Sequence, residues 1–599
     1  MFIVWLEPPN AAMQGDHIYR TLQPCRALGE HHGVEVASGT LLSPEMHRWM
    51  YDADILVIAL AVDADLLPVL AERKRLGRPT VFEINDDFTA VQPWNPTGAF
   101  FAAQENRALA YQLANAADAV QVTTPEIARR FGALNATCRV FPNQLWEEPA
   151  DVPKAGRFRI GWAGSLGHRD DILWAAPVLR EVLVQRPHVE LGIMAPDELL
   201  QALARELEDV TSRVVWKSHA SLEEYKQFIG QLHVGLAPLL PTDFNACRSD
   251  VKWLEYASHQ VAPVCSRLAP YSTSVEDGQT GLFFQTRDEL QAKLLYLIDA
   301  PSRALALGQA ASEAAAARRE RQHAQQRLAF FARLEPPDDG EPHWQCPPTY
   351  PQSSYRRMRF GPLETRLYDA LRAGASGAHA RAALAEAAKL APQFYLPHMY
   401  WGAAVSADGE GVQHLERAAA LAPGSPRVQS LLARRHVALG DLARARACLR
   451  RACELAPSWA GPHEQLGVLA MQAGDAAAAL AHWRRAVAVN PFATTPRHRA
   501  AAHLATSGDA DAAVELLRTN LAVDAKSWQD RLLLAQLLQQ HAAHADAAQV
   551  LEPALSLAPA NVQVLATLAK SVLALGQRRR ARELVRQAER ARGRSRSAR

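Results

Sequence analysis

The chain has 599 residues, which is too long for a single hydrophobic core, so two to four domains are expected. Its hydrophobic content of 48% and charged content of 21% are ordinary for a globular protein. The net charge of +2 gives no chain-wide field that would attract phosphates, which argues against a protein built to hold nucleic acid.

Cysteine usage and the N-terminus bear on the compartment. The seven cysteines are scattered and include no CxxC pair, so we expect neither a disulfide framework nor a zinc site, and a reducing cytoplasm fits best. The first residues, MFIVWLEPPN, lack the basic segment and the cleavage site of a signal peptide. The longest apolar run, at 55–62, has the length of a strand and is too short to span a bilayer.

The N-terminal part of the chain, up to about position 330, alternates short β-rich runs with helical stretches. This alternation predicts parallel α/β sheets, and two successive series predict two doubly wound domains with ligands at the carboxyl ends of the strands. The predicted strands are 2–7, 54–61, 80–85, 119–124 and 138–143 in the first series, and 158–165, 189–195, 214–217, 234–240, 261–266 and 281–284 in the second.

The last part of the chain, from about position 360, reads as helix and is an internal repeat. Pro423, Pro457, Pro491 and Pro559 share one phase, with Ala525 in the same place between them. A sustained period of this length predicts paired antiparallel helices stacked as an α-solenoid. A Pro-rich linker at 334–360 separates it from the α/β part.

Segment 458–491 shows the repeat best and resembles the tetratricopeptide repeat. Leu466 and Gly467 stand where the first helix would touch the second, and Trp483 stands on the second helix. The following segment departs from the pattern, because Asn520 stands where a small apolar residue is usual. We count about seven units.

A glycine-rich turn follows the first strand of the second series, in FRIGWAGSLGHRDD at 158–171. Gly164, Ser165 and Gly167 would let the backbone approach an anionic group such as a diphosphate, next to the N-terminus of the helix that follows. A purely structural turn is the alternative. Asp170 and Asp171 are expected to cap that helix.

The segment CRSDVKWLEYASHQVAPVCS at 247–266 is the second candidate. Ser249 or Asp250 would cap a helix on which Lys252 and Glu255, at i and i+3, share a face. A cation at a strand-to-helix junction can bind phosphate, and a carboxylate one turn later can accept hydrogen bonds from ribose hydroxyls. A surface ion pair between the two side chains is the alternative.

The polar run Asn85, Asp86 and Asp87 directly follows a predicted strand. It has the look of an Asp-x-Asp metal motif, but polar residues capping a strand end are the alternative. Gly15 lies in the loop after the first strand, where it could approach a ligand or form a tight turn. The histidines form no metal-ligand set.

The order IGWAGS, VGLAPL, KWLEYASHQVAPVCS and DGQTGLFF resembles the donor half of a GT-B glycosyltransferase of glycosyltransferase family 4. In the first half, EPPNAAMQGDHIYR, VFEINDDF and VFPNQ are similar to the first-strand loop, to the strand that delivers a catalytic-loop residue, and to the crossing segment. The resemblance covers about residues 1–330. It implies two Rossmann-like domains, retention of the anomeric configuration, and no metal or other cofactor.

The resemblance also implies roles for single residues. Glu255 matches the second of two motif glutamates and would bind the ribose of the nucleotide sugar, whereas Cys247 stands where the first glutamate belongs. The family's basic residues after the glycine turn are represented only by His168 and Arg169. We therefore hypothesise that Arg248 and Lys252 supply positive charge to the diphosphate from the other side of the cleft.

On the acceptor side, the resemblance favours acceptor orientation or charge stabilisation, and hence a catalytic part, for Asp86 and Asp87. Gly15 and Asn85 would belong to the acceptor-facing loops. The expected division of the chain is an acceptor-side domain, a donor domain, the linker, the repeats and a basic tail, at 1–144, 145–333, 334–360, 361–593 and 594–599.

The function that follows is a cytoplasmic glycosyltransferase of surface polysaccharide or glycoconjugate biosynthesis, acting on a glycan, lipid-linked or protein acceptor, with the repeats recruiting a protein partner. Peripheral association with the inner face of a membrane is a further expectation. Two alternatives stay open. One is a protein O-glycosyltransferase whose repeats hold the acceptor protein, and the other is a non-catalytic scaffold with a degenerate GT-B domain.

Overall fold

A computed structural model describes residues 1–9, 17–95, 97–146, 152–218, 221–334, 355–357, 361–373, 377–404 and 409–597. The chain divides into two compact units, Met1–Val62 with Val69–Pro392, and Asp63–Pro68 with Gln393–Arg599. Within the described ranges, no helix has the length and apolar character needed to cross a bilayer.

The first sheet is parallel. Its strands from the N-terminal part of the chain are β1 (Phe2–Glu7), β2 (Glu35–Thr40), β3 (Ile55–Ala59), β4 (Thr80–Ile84), β5 (Ala119–Val122) and β6 (Cys138–Val140). The helices between them are α1 (Gln23–His32), α2 (Pro44–Asp52), α3 (Leu66–Arg75), α4 (Gly98–Ala102), α5 (Gln104–Ala116) and α6 (Pro125–Phe131). The strand order is β2-β1-β3-β4-β5-β6, with Tyr355–Arg357 as a seventh strand beside β2.

Five of these six strands lie where the sequence predicts them. Four of them, β1, β3, β4 and β5, are apolar runs that are buried in a parallel sheet, whereas β6 is partly exposed. The prediction missed β2, whose sequence EVASGT has neither an apolar run nor a clear alternation. In the structure β2 is an inner strand, paired with β1 on one side and with Tyr355–Arg357 on the other, and α1 packs against it. Tyr355–Arg357 falls within the linker predicted at 334–360.

The second sheet is also parallel. Its strands are β7 (Arg159–Ala163), β8 (Glu190–Ala195), β9 (Val214–Ser218), β10 (Val234–Ala237), β11 (Ala262–Ser266) and β12 (Leu282–Phe284), in the order β12-β11-β10-β7-β8-β9. Its helices are α7 (Arg169–Gln185), α8 (Asp197–Glu206), α9 (Leu222–Gly230), α10 (Asp243–Ala246), α11 (Val251–Ser258), α12 (Arg287–Ile298) and α13 (Pro301–Ala315). All six strands of this series were predicted.

The next helix, α14 (Glu320–Ala332), returns to the first domain. Phe331 is fully buried in the first core, and its ring centroid lies 5.8 Å from that of Trp5 on β1. The sequence prediction had assigned α14 to the second domain. Its apolar face gives no hint of which of two similar sheets will cover it.

The remaining helices form consecutive pairs. They are α15 (Pro362–Arg372), α16 (Ala378–Leu390), α17 (Tyr395–Ala404), α18 (Gly409–Leu421), α19 (Pro426–Ala438), α20 (Leu442–Leu455), α21 (Ala460–Gln472), α22 (Ala476–Val489), α23 (Thr494–Ser507), α24 (Ala510–Val523), α25 (Trp528–Gln540), α26 (His544–Leu551), α27 (Ala554–Leu557), α28 (Val562–Ala574) and α29 (Arg578–Ser597). The first helices of successive pairs, α19, α21, α23, α25 and α28, begin at positions 426, 460, 494, 528 and 562. This constant interval is the one that separates Pro423, Pro457 and Pro491 in the sequence, so the predicted repeat is the structural repeat.

The contact between α21 and α22 explains why the repeat has a glycine at position 467. A Cβ atom on Gly467 would lie 2.4 Å from Nε1 of Trp483, which is buried on the facing helix. Glycine therefore lets the two helices approach with an indole between them. The indole Nε1 donates to the carbonyl oxygen of Glu464 at 3.3 Å.

The exceptional Asn520 is accommodated by a buried polar network. Its Nδ2 donates to the carbonyl oxygen of Thr494 at 2.9 Å and to Oδ2 of Asp530 at 3.0 Å, and its Oδ1 accepts from Nη1 of Arg497 at 2.9 Å. Because every polar atom of this amide has a partner, its burial carries no unpaired group.

Gly467→Val is expected to lower the stability of the helical unit by about 1–3 kcal/mol, because the added methyl groups collide with the Trp483 indole in a packed contact. Thermal melting followed by helical circular dichroism measures the change. Gly424→Val is the matched control, since a Cβ there meets no atom within 4 Å. Equal melting of both variants would contradict the packing account.

Candidate functional site

The glycine-rich turn lies at the carboxyl end of β7, where the chain passes through positions 164–168 before α7 begins. A Cβ on Gly164 would lie 2.3 Å from Cζ2 of Trp162, and the Gly164 N–H donates to the carbonyl oxygen of Met194 at 3.0 Å. Packing against the indole thus accounts for this glycine. The neighbouring Ser165 is exposed.

Gly167 is the glycine that allows polar groups to approach the turn. A Cβ there would lie 2.8 Å from Nη2 of Arg248 and 3.2 Å from Nδ2 of Asn95. Nη2 of Arg248 donates to the Gly167 carbonyl at 3.2 Å, and its guanidinium lies 4.8 Å from the centroid of the Phe244 ring. The turn and the segment before α11 therefore form one site, with a cation held against the backbone.

The sequence suggests that Asp171 caps α7. In the structure, its side chain instead fixes the loop opposite this turn. Its Oδ1 accepts from the backbone N–H of Leu240 and from Nδ2 of Asn245, both at 2.8 Å. Its Oδ2 lies 3.2 Å from Nδ1 of His168. Burial, and then the charge of Arg248, lower the pKa of His168 to about 4, so this ring is neutral at pH 7.

Glu255 lies at the centre of a second cluster of polar side chains in the candidate site. Its carboxylate is buried on α11, where Oε1 accepts from the Tyr19 hydroxyl at 2.6 Å and Oε2 accepts from Nζ of Lys252 at 2.9 Å. The Tyr225 hydroxyl, from α9, also donates to Oε2, and Nζ of Lys252 lies 2.7 Å from that hydroxyl. The predicted i, i+3 pair exists, but its carboxylate is buried, its lysine is half-buried, and the pair belongs to a four-residue network.

The helix cap before α11 differs from the prediction. Asp250 occupies the cap position, but its side chain makes no capping hydrogen bond. Its Oδ2 accepts from the Ser274 hydroxyl at 2.5 Å and from Nη1 of Arg318 at 3.0 Å. The first backbone N–H groups of α11 therefore have no side-chain cap from Asp250.

Cys247 occupies the place of the missing motif glutamate. It is fully buried, and its carbonyl oxygen accepts from the Thr124 hydroxyl of the first domain at 3.1 Å. Burial, with the nearby charge of Asp87, raises the pKa of its thiol to about 12. The thiol is therefore protonated at neutral pH and does not replace a carboxylate.

The run after β4 is spread over three environments. Asp87 is fully buried: its Oδ1 accepts from the backbone N–H of Thr89 at 2.9 Å, and its Oδ2 accepts from Nη1 of Arg130 at 2.8 Å. Asp86 is half-buried. Asn85 has a buried Oδ1 without a hydrogen-bond partner. The remaining loop candidate, Gly15, lies outside the described residues.

Residues 157–300 match the family described as Glycosyl transferases group 1. This region is a glycosyl transferase group 1 domain. The match covers most of the second α/β domain. It leaves the first α/β domain and the helical repeats outside.

Three solved structures are similar to parts of this chain. HepE from Anabaena, in complex with UDP and glucose, is 15% identical, with 56% of this chain and 99% of that chain covered and a TM-score of 0.43. Sucrose-phosphate synthase from Thermosynechococcus elongatus is 14% identical, with 56% and 99% covered and a TM-score of 0.44. The pneumococcal O-GlcNAc transferase GtfA, in complex with UDP and GlcNAc, is 14% identical, with 48% and 59% covered and a TM-score of 0.37. A search of curated proteins found no match.

Several direct contacts join the glycosyl transferase group 1 domain to the first α/β domain. Besides the Tyr19–Glu255 bond, Nη2 of Arg130 lies 3.2 Å from Oδ1 of Asp243, and the guanidinium of Arg169 lies 5.8 Å from the Trp94 ring centroid. Nδ2 of Asn143 donates to the Ser249 hydroxyl at 3.0 Å. The two halves of the candidate site therefore touch each other in this structure.

Sequence reasoning missed the residues that reach this site from elsewhere in the chain. Their positions gave little signal: Tyr19 lies on a π-helix, His17–Leu22, and Tyr225 on a separate helix whose apolar pattern looks ordinary. Buried charge in the first domain was also missed, where Nε of Arg20 donates to Oε1 of Glu83 at 2.6 Å. Charged residues inside strand-like runs were the available hint, since charges in such runs are buried only when they are paired.

A metal-binding set would need several ligand side chains in one place. Among the described residues, no group of three or more His, Cys, Asp and Glu side chains is arranged to hold a metal ion.

The buried first-domain atoms Nε2 of His17 and Nη2 of Arg20 have no hydrogen-bond partner.

The stability of the α/β unit is expected to fall as the pH drops from about 6.5 to about 4. His168 is neutral in the folded state down to about pH 4, whereas in the unfolded chain it takes up a proton near pH 6.5, so acid favours unfolding. The loss reaches up to about 1.4 kcal/mol per pH unit over that window.

Thermal melting at several pH values tests this expectation against His168→Gln, which lacks the titrating ring and should show a flatter profile over the same range. If both proteins lose stability in parallel, other groups dominate and the account of His168 is wrong.

Proposed function

We propose that this glycosyltransferase transfers a sugar from a nucleotide-sugar donor to an acceptor hydroxyl, with the donor bound by the second α/β domain. Two contacts carry the proposal: Arg248 against the Gly167 turn, and Lys252 against Glu255 on the helix that follows, both within the region that matches the group 1 family. A backbone turn, two cations and a buried carboxylate are the groups that a diphosphate and a ribose require.

The two cations act on the leaving diphosphate. Transfer breaks the bond between the anomeric carbon and the diphosphate oxygen, forms a bond from the acceptor oxygen to that carbon, and releases the acceptor proton. Negative charge therefore grows on the diphosphate, where fixed cations stabilise it. Arg248 already lies against the turn, and Lys252 lies in the first turn of α11. Retention of the anomeric configuration is part of the proposal.

The carboxylate of Glu255 binds the ribose hydroxyls in this proposal. Its low exposure strengthens a charge-assisted hydrogen bond, because water does not compete well at a buried site. Cys247 offers no second carboxylate, so the binding of the sugar itself differs from the family pattern.

On the acceptor side, Asp86 and Asp87 keep their proposed part in acceptor orientation or charge stabilisation. Since Arg130 and Thr89 already bind the Asp87 carboxylate, Asp87 acts by fixing the loop and its charge. Asn85 supports an acceptor-facing role through its buried carbonyl oxygen, which lacks a partner.

The repeats recruit a protein in this proposal, because stacked helix pairs offer an extended binding surface. That protein is either a component of glycan assembly or the acceptor itself. Peripheral membrane association stays a prediction, which sedimentation with anionic vesicles would test.

A donor panel tests the proposal. Thermal shifts of the full chain with UDP, GDP, ADP and their sugar conjugates should identify one nucleotide that raises the melting temperature by mass action, with slow hydrolysis of its sugar conjugate. No shift with any nucleotide would contradict the proposal and favour a scaffold. Labelled donor with cell lysate then separates protein acceptors from lipid-linked ones.

Lys252→Met is expected to weaken binding of that nucleotide about 10- to 100-fold, because a charge-assisted contact to the diphosphate is lost. Isothermal titration measures the affinity, and thermal melting reports folding. Lys217→Met, which removes an exposed lysine of the same domain, is the matched control. Equal affinities of the two variants would exclude Lys252 from the donor site.

Addition of EDTA is expected to leave turnover unchanged, because protein cations are proposed to replace a metal ion at the diphosphate. The measurement compares initial rates before and after chelation and after addition of Mg²⁺ or Mn²⁺. Loss of activity on chelation, restored by a metal, would contradict this part of the proposal.

A further inference from the structure

The contact between Tyr19 and Glu255 joins the two α/β domains through the carboxylate assigned to the donor ribose. The phenol belongs to the π-helix His17–Leu22 of the first domain, and the carboxylate belongs to α11 of the second. Their oxygens are 2.6 Å apart, and both side chains are buried. This is a short, charge-assisted bond in a site with little water, so it is strong.

The two oxygens of Glu255 are used differently. Oε2 accepts from Tyr225 and Lys252, which lie in the same domain as Glu255, so these bonds persist whether the two domains are together or apart. Oε1 accepts from Tyr19, a residue of the other domain. Oε1 is therefore the oxygen whose occupancy depends on how the two domains meet.

We propose that the Tyr19 hydroxyl occupies the place of a donor ribose hydroxyl on Oε1 of Glu255, so that the donor must displace it. The inference rests on the proposed function. A phenol and a ribose hydroxyl are both O–H donors. Because Glu255 and Tyr19 are both buried and the phenol is in contact with Oε1, a ribose hydroxyl reaches that oxygen only when the phenol moves.

Displacement gives Tyr19 two effects. It lowers the apparent affinity for the donor, because the bond to Tyr19 must be broken first. It also breaks one of the contacts between the domains, so donor occupancy and this contact at the π-helix exclude each other. Tyr19 is thus a positioning residue that couples donor occupancy to the arrangement of the two domains.

The test measures the affinity of Tyr19→Phe for the nucleoside diphosphate that the donor panel identifies, or for UDP, GDP and ADP in turn. Phenylalanine keeps the ring but frees Oε1, so affinity should rise about tenfold relative to the unmodified chain. The same nucleotide without its 2′ and 3′ hydroxyls should gain nothing, since it has no group to place on Oε1.

Tyr225→Phe is the matched control, because it removes a hydroxyl from the same carboxylate without freeing Oε1. We expect no gain in affinity from this variant. In kinetics, Tyr19→Phe should lower the KM for the donor without raising kcat, a pattern that a merely structural role would not produce.

Hydrogen exchange of the unmodified chain gives a readout without mutation. Exchange over positions 17–22 should rise when the nucleotide is added, because the Tyr19 bond is released. Unchanged or weaker binding by Tyr19→Phe, an equal gain for the dideoxy nucleotide, or protection of positions 17–22 would each overturn the inference. If no nucleotide binds any variant, the proposed function itself fails, and this inference fails with it.

Discussion

A buried carboxylate organises the candidate site. Taking the charge of Glu255 out of water is costly unless several donors surround it, and the chain supplies Tyr19, Tyr225 and Lys252. Meeting this requirement brings together the π-helix after β1, helix α9 and helix α11. The positions of Lys252 and Glu255 in the candidate site follow from the packing of these three elements.

The same principle recurs wherever this fold buries polar groups. Asp171 holds Asn245 and the Leu240 backbone opposite the glycine turn, and Asn520 is satisfied by two charged neighbours inside the helical repeats. In both cases the buried polar group has specific partners, since a buried polar atom without one costs about 1–3 kcal/mol. Other buried atoms, such as Oδ1 of Asn85, have no protein partner, and there a water molecule or a ligand would be favoured.

Sequence reasoning succeeded where the signal is local. The apolar runs located eleven strands, and the period of the repeat located the helix pairs, because burial on a sheet or between helices recurs at short range. It missed β2, whose sequence carries no strand pattern of its own, and the return of α14 to the first domain, which depends on the shape of two cores.

The candidate site divides in the same way. The sequence identified a turn at Gly167 and a charged helix start at Arg248, Lys252 and Glu255. The order of these segments along the chain carried the resemblance to glycosyltransferases. The sequence by itself determined the two α/β domains, the helical repeats and the charged character of segment 247–266, because each depends on residues close together in the chain. Only the tertiary structure decided that Tyr19 binds Glu255, 236 positions away in the chain, and that Arg130 binds Asp87. Such partners are brought together by the packing of elements that are distant in sequence.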